Sequence, residues 1–315
     1  MFKTIGQVFL VKPGSLSAEE KELYRDLQFT NFIFFKEHFQ EDFPEFLDRL
    51  KASVDSFNFL AIDQEGGRVC RIPGEFPSPL EISLNYQKNK DLSLVKKWAQ
   101  SLAKTVVEKG LNLNLAPVVD LAGEEAPEFL RSRTLGNDPE LVKFLGEIFI
   151  SEHKKQGCFC CVKHFPGLDE VTIDPHKDLP EKEKINSSSL EVFRFFAEKG
   201  VPFFMTTHLI VKSLDVLPAT FSLKVIKLLR DNLGFKGCII TDDLNMGALG
   251  KWELSERIVL SLASGHNFLI FCGTFEELAY HLFEIKTEIE KSPTLRERLS
   301  ESFYVLDRVK RWIYE

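Results

Sequence analysis

Eight short apolar runs, at residues 7–11, 32–35, 59–63, 112–121, 158–164, 202–208, 237–243 and 267–272, recur through a chain of 315 residues. Each has the length of a strand, and most are followed by a segment of helical periodicity, over residues 42–52, 92–109, 138–155, 189–199, 222–234 and 253–264. Strands alternating with helices run parallel, because a helical crossover returns the chain to the same end of the sheet. Eight such units predict an α/β fold, a single-domain (β/α)8 barrel of the TIM type over residues 1–315. Two more helices, at about 275–290 and 294–312, close the chain, and no second domain is expected. Local signals agree with this pattern. Ser17-Ala-Glu-Glu20 reads as a capping box, Asp138-Pro139 sets a cap and a proline at a helix start, and Gly110, Gly200, Gly234 and Gly265 stand at helix ends. Residues 71–83, with Pro73, Pro77 and Pro79, and residues 131–137 read as loops.

The composition, 44% hydrophobic with 29 phenylalanines, supplies a large core. A net charge of −7 without a long basic run gives a nucleic-acid partner no electrostatic support. Cys70, Cys158, Cys160, Cys161, Cys238 and Cys272 fall mostly inside apolar runs and lack metal-type spacing. They read as small core residues in a reducing compartment. The N-terminal M-F-K-T-I-G-Q-V-F-L-V-K-P lacks a signal-peptide core, and no other segment reaches membrane-spanning length. The expectation is a soluble, cytoplasmic monomer with no membrane or nucleic-acid partner.

A barrel reading has a functional consequence, since such folds build their sites at the C-terminal ends of the strands. Asp63, Lys163, His164, His208, Asp242 and Asp243 all stand at that end of their expected strands. After the fifth run comes K-H-F-P-G-L-D-E-V-T-I-D-P-H-K-D-L-P, from Lys163 to Pro180. Pro175 disfavours the helical region at Asp174, and residues two apart in an extended segment share a side, so Asp174 lies beside His176. A carboxylate there fixes the imidazole tautomer and favours its protonated form, as proton transfer near neutral pH requires. The stretch also reads as a solvated loop with two unrelated polar residues. Asp242 faces the barrel mouth, where a carboxylate accepts protons, binds a cation, attacks an anomeric carbon or caps the next segment. Metal binding ranks low, because no His-x-His or paired-His helical spacing occurs, and no cofactor is expected.

Several motifs occur in one order: I-D-Q-E-G-G-R-V (62–69), L-N-L-N-L-A-P-V-V-D (111–120), S-R-T-L-G-N-D-P (132–139), K-H-F-P-G with D-x-H (163–176), M-T-T-H and P-A-T-F-S (205–222), and T-D-D-L-N-M-G-A (241–248). Together they resemble glycoside hydrolase family 3, and within it the bacterial β-N-acetylglucosaminidases of the NagZ type, which act in peptidoglycan recycling. The resemblance implies a retaining, exo-acting β-N-acetylglucosaminidase that hydrolyses terminal GlcNAc from muropeptide-type glycosides through a covalent glycosyl-aspartate. It implies Asp242 as nucleophile, His176 as acid/base, and Asp174 as the partner of His176. Asp63, Arg71, Arg133, Lys163 and His164 match the residues that hold the sugar hydroxyls. An oxocarbenium-like transition state fits this set, with a carboxylate beneath the ring and a proton donor at the leaving oxygen. Many larger relatives take a glutamate acid/base from a second domain. With none expected here, the donor comes from the barrel's own loops, and His176 is the available group.

The chain departs from the family pattern at two places. Gly167-Leu168-Asp169 stands where G-H-G is usual, and Pro175 where serine is common, which bears on the loop's path and stiffness and on aglycone preference. Rival readings are a β-glucosidase, a glycoside phosphorylase, since histidine repels incoming phosphate less than a carboxylate does, and a non-catalytic sugar-binding protein on the same fold. His38, His153, His266 and His281 have no motif around them, and His208 either lines the site or is structural. Asp120 and Asp243 are expected to hold neighbouring loops, and a phenylalanine near the 73–79 loop is a candidate for stacking on a sugar.

Overall fold

Eight parallel strands close into a barrel: β1 Phe9–Val11, β2 Asn31–Phe34, β3 Phe59–Ile62, β4 Leu113–Asn114, β5 Phe159–Phe165, β6 Phe203–Thr206, β7 Cys238–Asp243 and β8 Phe268–Phe271. Neighbours follow chain order, and β8 returns to β1 with Phe9 opposite Leu269. The structure, a computed structural model, describes residues 2–40 and 42–314, and side chains from residue 4 onward. The (β/α)8 expectation is met. Helices pack outside: α1 Ala18–Asp26, α2 Phe43–Lys51, α3 Pro79–Asn89, α4 Leu92–Glu108, α5 Glu128–Arg131, α6 Pro139–Lys155, α7 Ser187–Glu198, α8 Leu223–Lys227, α9 Leu254–Ser264, α10 Phe275–Lys291 and α11 Pro293–Val309.

Side-chain alternation along the strands organises the barrel interior. Phe59 meets Phe203 at 5.2 Å and Phe268 at 5.9 Å between ring centroids, although their strands are not neighbours, so these rings point inward. With Phe159 they form an aromatic layer at the N-terminal end of the barrel. Two residues further along come Ala61, Cys161, Met205 and Ile270, all buried. Two more bring Asp63, Lys163 and Cys272 to the mouth, and the same steps on β7 lead from Cys238 through Ile240 to Asp242. Apolar layers below thus leave the third layer as the first that can hold charge.

The structure corrects several local expectations. Residues 7 and 8 belong to a 3-10 turn, Phe2–Val8, and β1 begins at Phe9. Ser17 caps α1 through Glu20 N–H at 3.1 Å, but the Glu20 carboxylate turns to the N–H groups of Gly14 and Leu16, at 2.8 Å each, so only half of the capping box forms. The expected loop over 71–83 contains the start of α3. Ser78 and Glu81 make a complete capping box with Pro79 in the first turn, a signal present in the sequence. The 112–121 run is a ladder only at Leu113–Asn114, because Pro117 has no N–H to donate. Its path continues along β5 through the Val118–Lys163 bridge. Cys158, Cys160, Cys161 and Cys238 are fully buried and Cys70 and Cys272 partly so. Among the described residues no helix is long and apolar enough to cross a membrane.

Candidate active site

The barrel mouth opens into a cavity of about 330 Å³ lined by Asp63, Arg71, Arg133, Lys163, His164, His176 and Asp242. Of the residues that the family resemblance assigned to the site only Asp174 lies outside this lining, behind His176; His208, also singled out at a strand end, lies outside it too. Apolar side chains complete the wall, among them Phe35, Met205, Met246 and Ile270. The aromatic ring here is Phe35, at the end of β2. Phe76, in the 73–79 loop, packs against the core beneath α4 and α6 instead.

A network of opposite charges forms one side of the floor. Lys163 Nζ donates to Asp63 Oδ1 at 2.8 Å and lies 2.7 Å from Glu65 Oε1, and Arg133 grips Glu65 with two bonds of 2.8 Å. Arg71 lies 3.7 Å from Asp63, its guanidinium over Phe35, while Gln64 Oε1 accepts from the N–H groups of Arg71 and Ile72. Burial opposes the charges of Glu65, Arg133 and Lys163, but their pairing outweighs it. Glu65 is held well below the ordinary carboxylate range by Arg133 and Lys163, and Lys163 is raised by Asp63 and Glu65. Glu65 was not among the residues singled out from sequence. Its signal was its place two residues after Asp63 within I-D-Q-E-G-G-R.

His164 and the nucleophile candidate line the same cavity. Asp120, fully buried, accepts from His164 Nδ1 at 2.7 Å and from the backbone N–H groups of His164 and Leu168, as its loop-holding expectation requires. The His164 Nδ1–H is thereby used inward, and Nε2 is left to the cavity, 3.5 Å from Arg133. His208 is fully buried and structural: its Nε2–H donates to Asp243 O at 2.9 Å and its Nδ1 accepts from Thr220 at 2.6 Å. Asp243 holds the backbone N–H groups of Asn245 and Cys272. Burial alone would raise the Asp242 carboxyl, but the imidazoles of His208 and His164 and the Asp243 N–H at 2.8 Å keep it below its usual value. Asp242 is therefore ionised at neutral pH. Burial, with Asp242 alongside, pushes Asp243 the other way, to about 6.

The loop after β5 carries the remaining pair. Asp174 Oδ1 accepts from His176 Nδ1 at 2.7 Å and from its backbone N–H at 3.0 Å; the two side chains pair as expected, but through a turn, in which Asp174 O accepts from Lys177 and Asp178 N–H at 2.9 and 3.2 Å, and not along an extended segment. Desolvation would raise Asp174, but these bonds and the neighbouring imidazole lower it. The departing residues anchor the loop's near end. Leu168 is buried with Val118, Leu130 and Leu209, while Asp169 takes Ser189 at 2.7 Å and Lys182 at 3.4 Å. The 174–177 segment leans on the turn after β7, where Ala248 N–H donates to Pro175 O at 3.2 Å. A Cβ on Gly247 would come within 2.8 Å of His176 O and 2.9 Å of Lys177 O, so glycine is what allows this approach. Among the described residues no group of three or more His, Cys, Asp or Glu side chains is arranged to hold a metal ion. An ionised carboxylate and a carboxylate-paired imidazole facing one cavity, with cationic donors beside them, suit cleavage of an acetal.

The sequence signature of the glycosyl hydrolase family 3 N-terminal domain matches residues 3–304. The chain belongs to glycosyl hydrolase family 3. The beta-hexosaminidase of Alkalilimnicola ehrlichii is 31% identical to it over 275 residues, 82% of this chain and 78% of that protein. A beta-hexosaminidase of Neisseria meningitidis serogroup B is 32% identical over 297 residues, 90% and 81% of the two chains. NagZ from Neisseria gonorrhoeae, crystallised with N-trifluoroacetyl-D-glucosamine, has the same fold with a TM-score of 0.79 at 23% identity, covering 97% of this chain and 96% of that one. As a family 3 glycoside hydrolase the chain acts on a carbohydrate.

Proposed function

We propose that this family 3 hydrolase is a retaining, exo-acting β-N-acetylglucosaminidase that removes terminal GlcNAc from muropeptide-type glycosides through a covalent glycosyl-aspartate. The reading rests on one observation above the rest: Asp242, held ionised, and His176, paired with Asp174, face the same cavity. The beta-hexosaminidase names of the relatives support the identity of the sugar, and the NagZ-type motifs support the muropeptide class. Asp63, Arg71, Arg133, Lys163 and His164 take the hydroxyls of the terminal sugar. Asp242 attacks the anomeric carbon from below as the glycosidic C–O bond breaks, and His176 protonates the departing oxygen. Asp174 accepts the Nδ1–H, so Nε2 faces the reacting oxygen. In the second half His176 takes a proton from water, the water attacks the anomeric carbon, and the Asp242 carboxylate is regenerated. Two inversions give overall retention.

Asp242→Ala is expected to abolish release of a chromogenic leaving group from its GlcNAc glycoside, and retained turnover removes Asp242 from this role. Products from GlcNAc and glucose glycosides, with and without phosphate, complete the test. Free GlcNAc formed at a rate independent of phosphate is the expected outcome, whereas a sugar 1-phosphate identifies a phosphorylase.

A further inference from the structure

His176 is poorly held by its own packing. Its side chain is 63% exposed, and its partner Asp174 rides on the same segment, so the pair fixes the ring's tautomer but not its distance from Asp242. That distance depends on the Ala248 bond to Pro175 O and on where residues 170–181 join the barrel, at Asp169 and Lys182. Both of these side chains are buried, at 4% and 6% exposure, and they meet. Lys182 Nζ lies 3.4 Å from Asp169 Oδ1 and donates to Gly167 O at 2.8 Å. Asp169 Oδ1 also accepts from Ser189 Oγ at 2.7 Å, in the first turn of α7. Asp169 Oδ2 is buried with no hydrogen-bond partner among the described residues, so one oxygen does the holding. Lys182 is fixed on its own side by a two-residue strand, Glu181–Lys182, paired in parallel with Ile210–Val211 beyond β6. Gly167, at φ +110°, permits so tight a junction, since a Cβ there would stand 2.5 Å from Asp169 Oδ1.

We propose that Asp169 and Lys182 form a staple across the base of this loop and are positioning residues for proton transfer by His176. The inference rests on the hydrolase reading above and deepens it. The staple joins the two ends of residues 170–181, and closing the ends narrows the paths open to the segment between them. An exposed imidazole on that segment then meets the departing oxygen in fewer arrangements. A general acid displaced by about 1 Å loses much of its effect. Neither Asp169 nor Lys182 lines the sugar cavity, so attack by Asp242 proceeds without them. The usual family pattern has glycine at position 169, with no side chain to make the contact, so the staple is a property of this chain.

The test compares kcat/KM, which reports the steps up to departure of the aglycone, for two GlcNAc glycosides. One has an alkyl leaving group, which departs only when protonated, and the other a dinitrophenyl group, which departs as a stable phenolate. Both are measured for the wild type, Asp169→Asn, Lys182→Met and the double variant, in which no stranded charge remains to unfold the protein. Each variant should lower kcat/KM for the alkyl glycoside by about tenfold or more and leave the dinitrophenyl glycoside within about threefold of wild type. The double variant should lose no more than the worse single one, as two groups acting as a unit do. Equal losses on both glycosides make the pair merely structural, and losses under about twofold on the alkyl glycoside make it idle. Either result overturns the staple while leaving the hydrolase reading intact. Failure of the wild-type protein to hydrolyse either glycoside overturns the hydrolase reading itself.

Discussion

Lys163 carries a full charge at 2% side-chain exposure, and Glu65, at 1%, is what makes that tolerable. A buried ion pair returns little net stability, but removing one member leaves the other charge stranded, at roughly 3–5 kcal/mol. Glu65 serves two cations at once, fixing Arg133 by a bidentate contact and Lys163 by a 2.7 Å bond, so it sets the positions of two groups proposed to read the sugar. Glu65→Gln keeps the shape and removes the charge. It should raise KM for a GlcNAc glycoside by about tenfold or more and lower unfolding stability by about 3 kcal/mol. Steady-state kinetics together with urea unfolding check this, and a KM within twofold of wild type would show that the cations hold their places without it. Asp120 acts in a parallel way on His164, spending its Nδ1–H so that the ring's other nitrogen faces the cavity.

Between elements, buried histidines do the joining. His153 on α6 accepts from Asn114 of β4 at 3.0 Å and donates to Phe149 O, and Asn114 also clasps the Gln64 backbone through both its N–H and its C=O. His266 bridges Thr206 of β6 and Ser264 of α9. Burial pushes His153 down to about 4 and His266 to about 3, so both fold as neutral rings. A depressed histidine contributes its stability above the unfolded value near 6.5 and loses it as pH falls towards the folded value. From pH 7 to 5 this removes about 2 kcal/mol for each histidine. Asp243, raised to about 6, works in the opposite sense: its cost is largest above pH 6 and is relieved on acidification, returning about 1 kcal/mol. The expected net loss is about 2–3 kcal/mol. Urea unfolding at the two pH values measures it, and equal or greater stability at pH 5 contradicts the account.

Over the whole molecule, the last two helices belong to the barrel's core. Phe275, Leu278, Leu282, Ile285 and Ile289 of α10 and Leu295, Leu299, Val305, Leu306 and Val309 of α11 are buried in the main apolar cluster with β1 and β8 residues. Phe275 sits edge-on to both Tyr24 of α1 and Phe29, joining the end of the chain to its first helix. Each such side chain contributes roughly 1.5–3 kcal/mol on burial, so together they exceed the roughly 5–15 kcal/mol by which a protein is stable. A fragment ending at residue 274 should therefore be insoluble or lack a cooperative thermal transition by circular dichroism. A sharp transition in that fragment would show the helices to be dispensable.

The alternation of eight apolar runs with helices was legible in the chain, because period-2 and period-3.6 patterning is written locally, as were the Asp174–His176 pairing, though not the turn that makes it, and the cap at Asp138. The positions of Asp63, Lys163 and Asp242 at strand ends were equally plain. What stayed hidden was the pairing: that Lys163 lies between Asp63 and Glu65, a hundred residues away, that Asp120 addresses His164 and Leu168, and that Gly247 makes room for the His176 loop. Each depends on barrel closure, which brings distant strand ends to one depth in a low-dielectric mouth, and charge pairing at that range leaves no periodic trace in a sequence. The residue types at the site were local information; which of them are charged, which are merely supporting and what faces the cavity were decided only when the barrel closed.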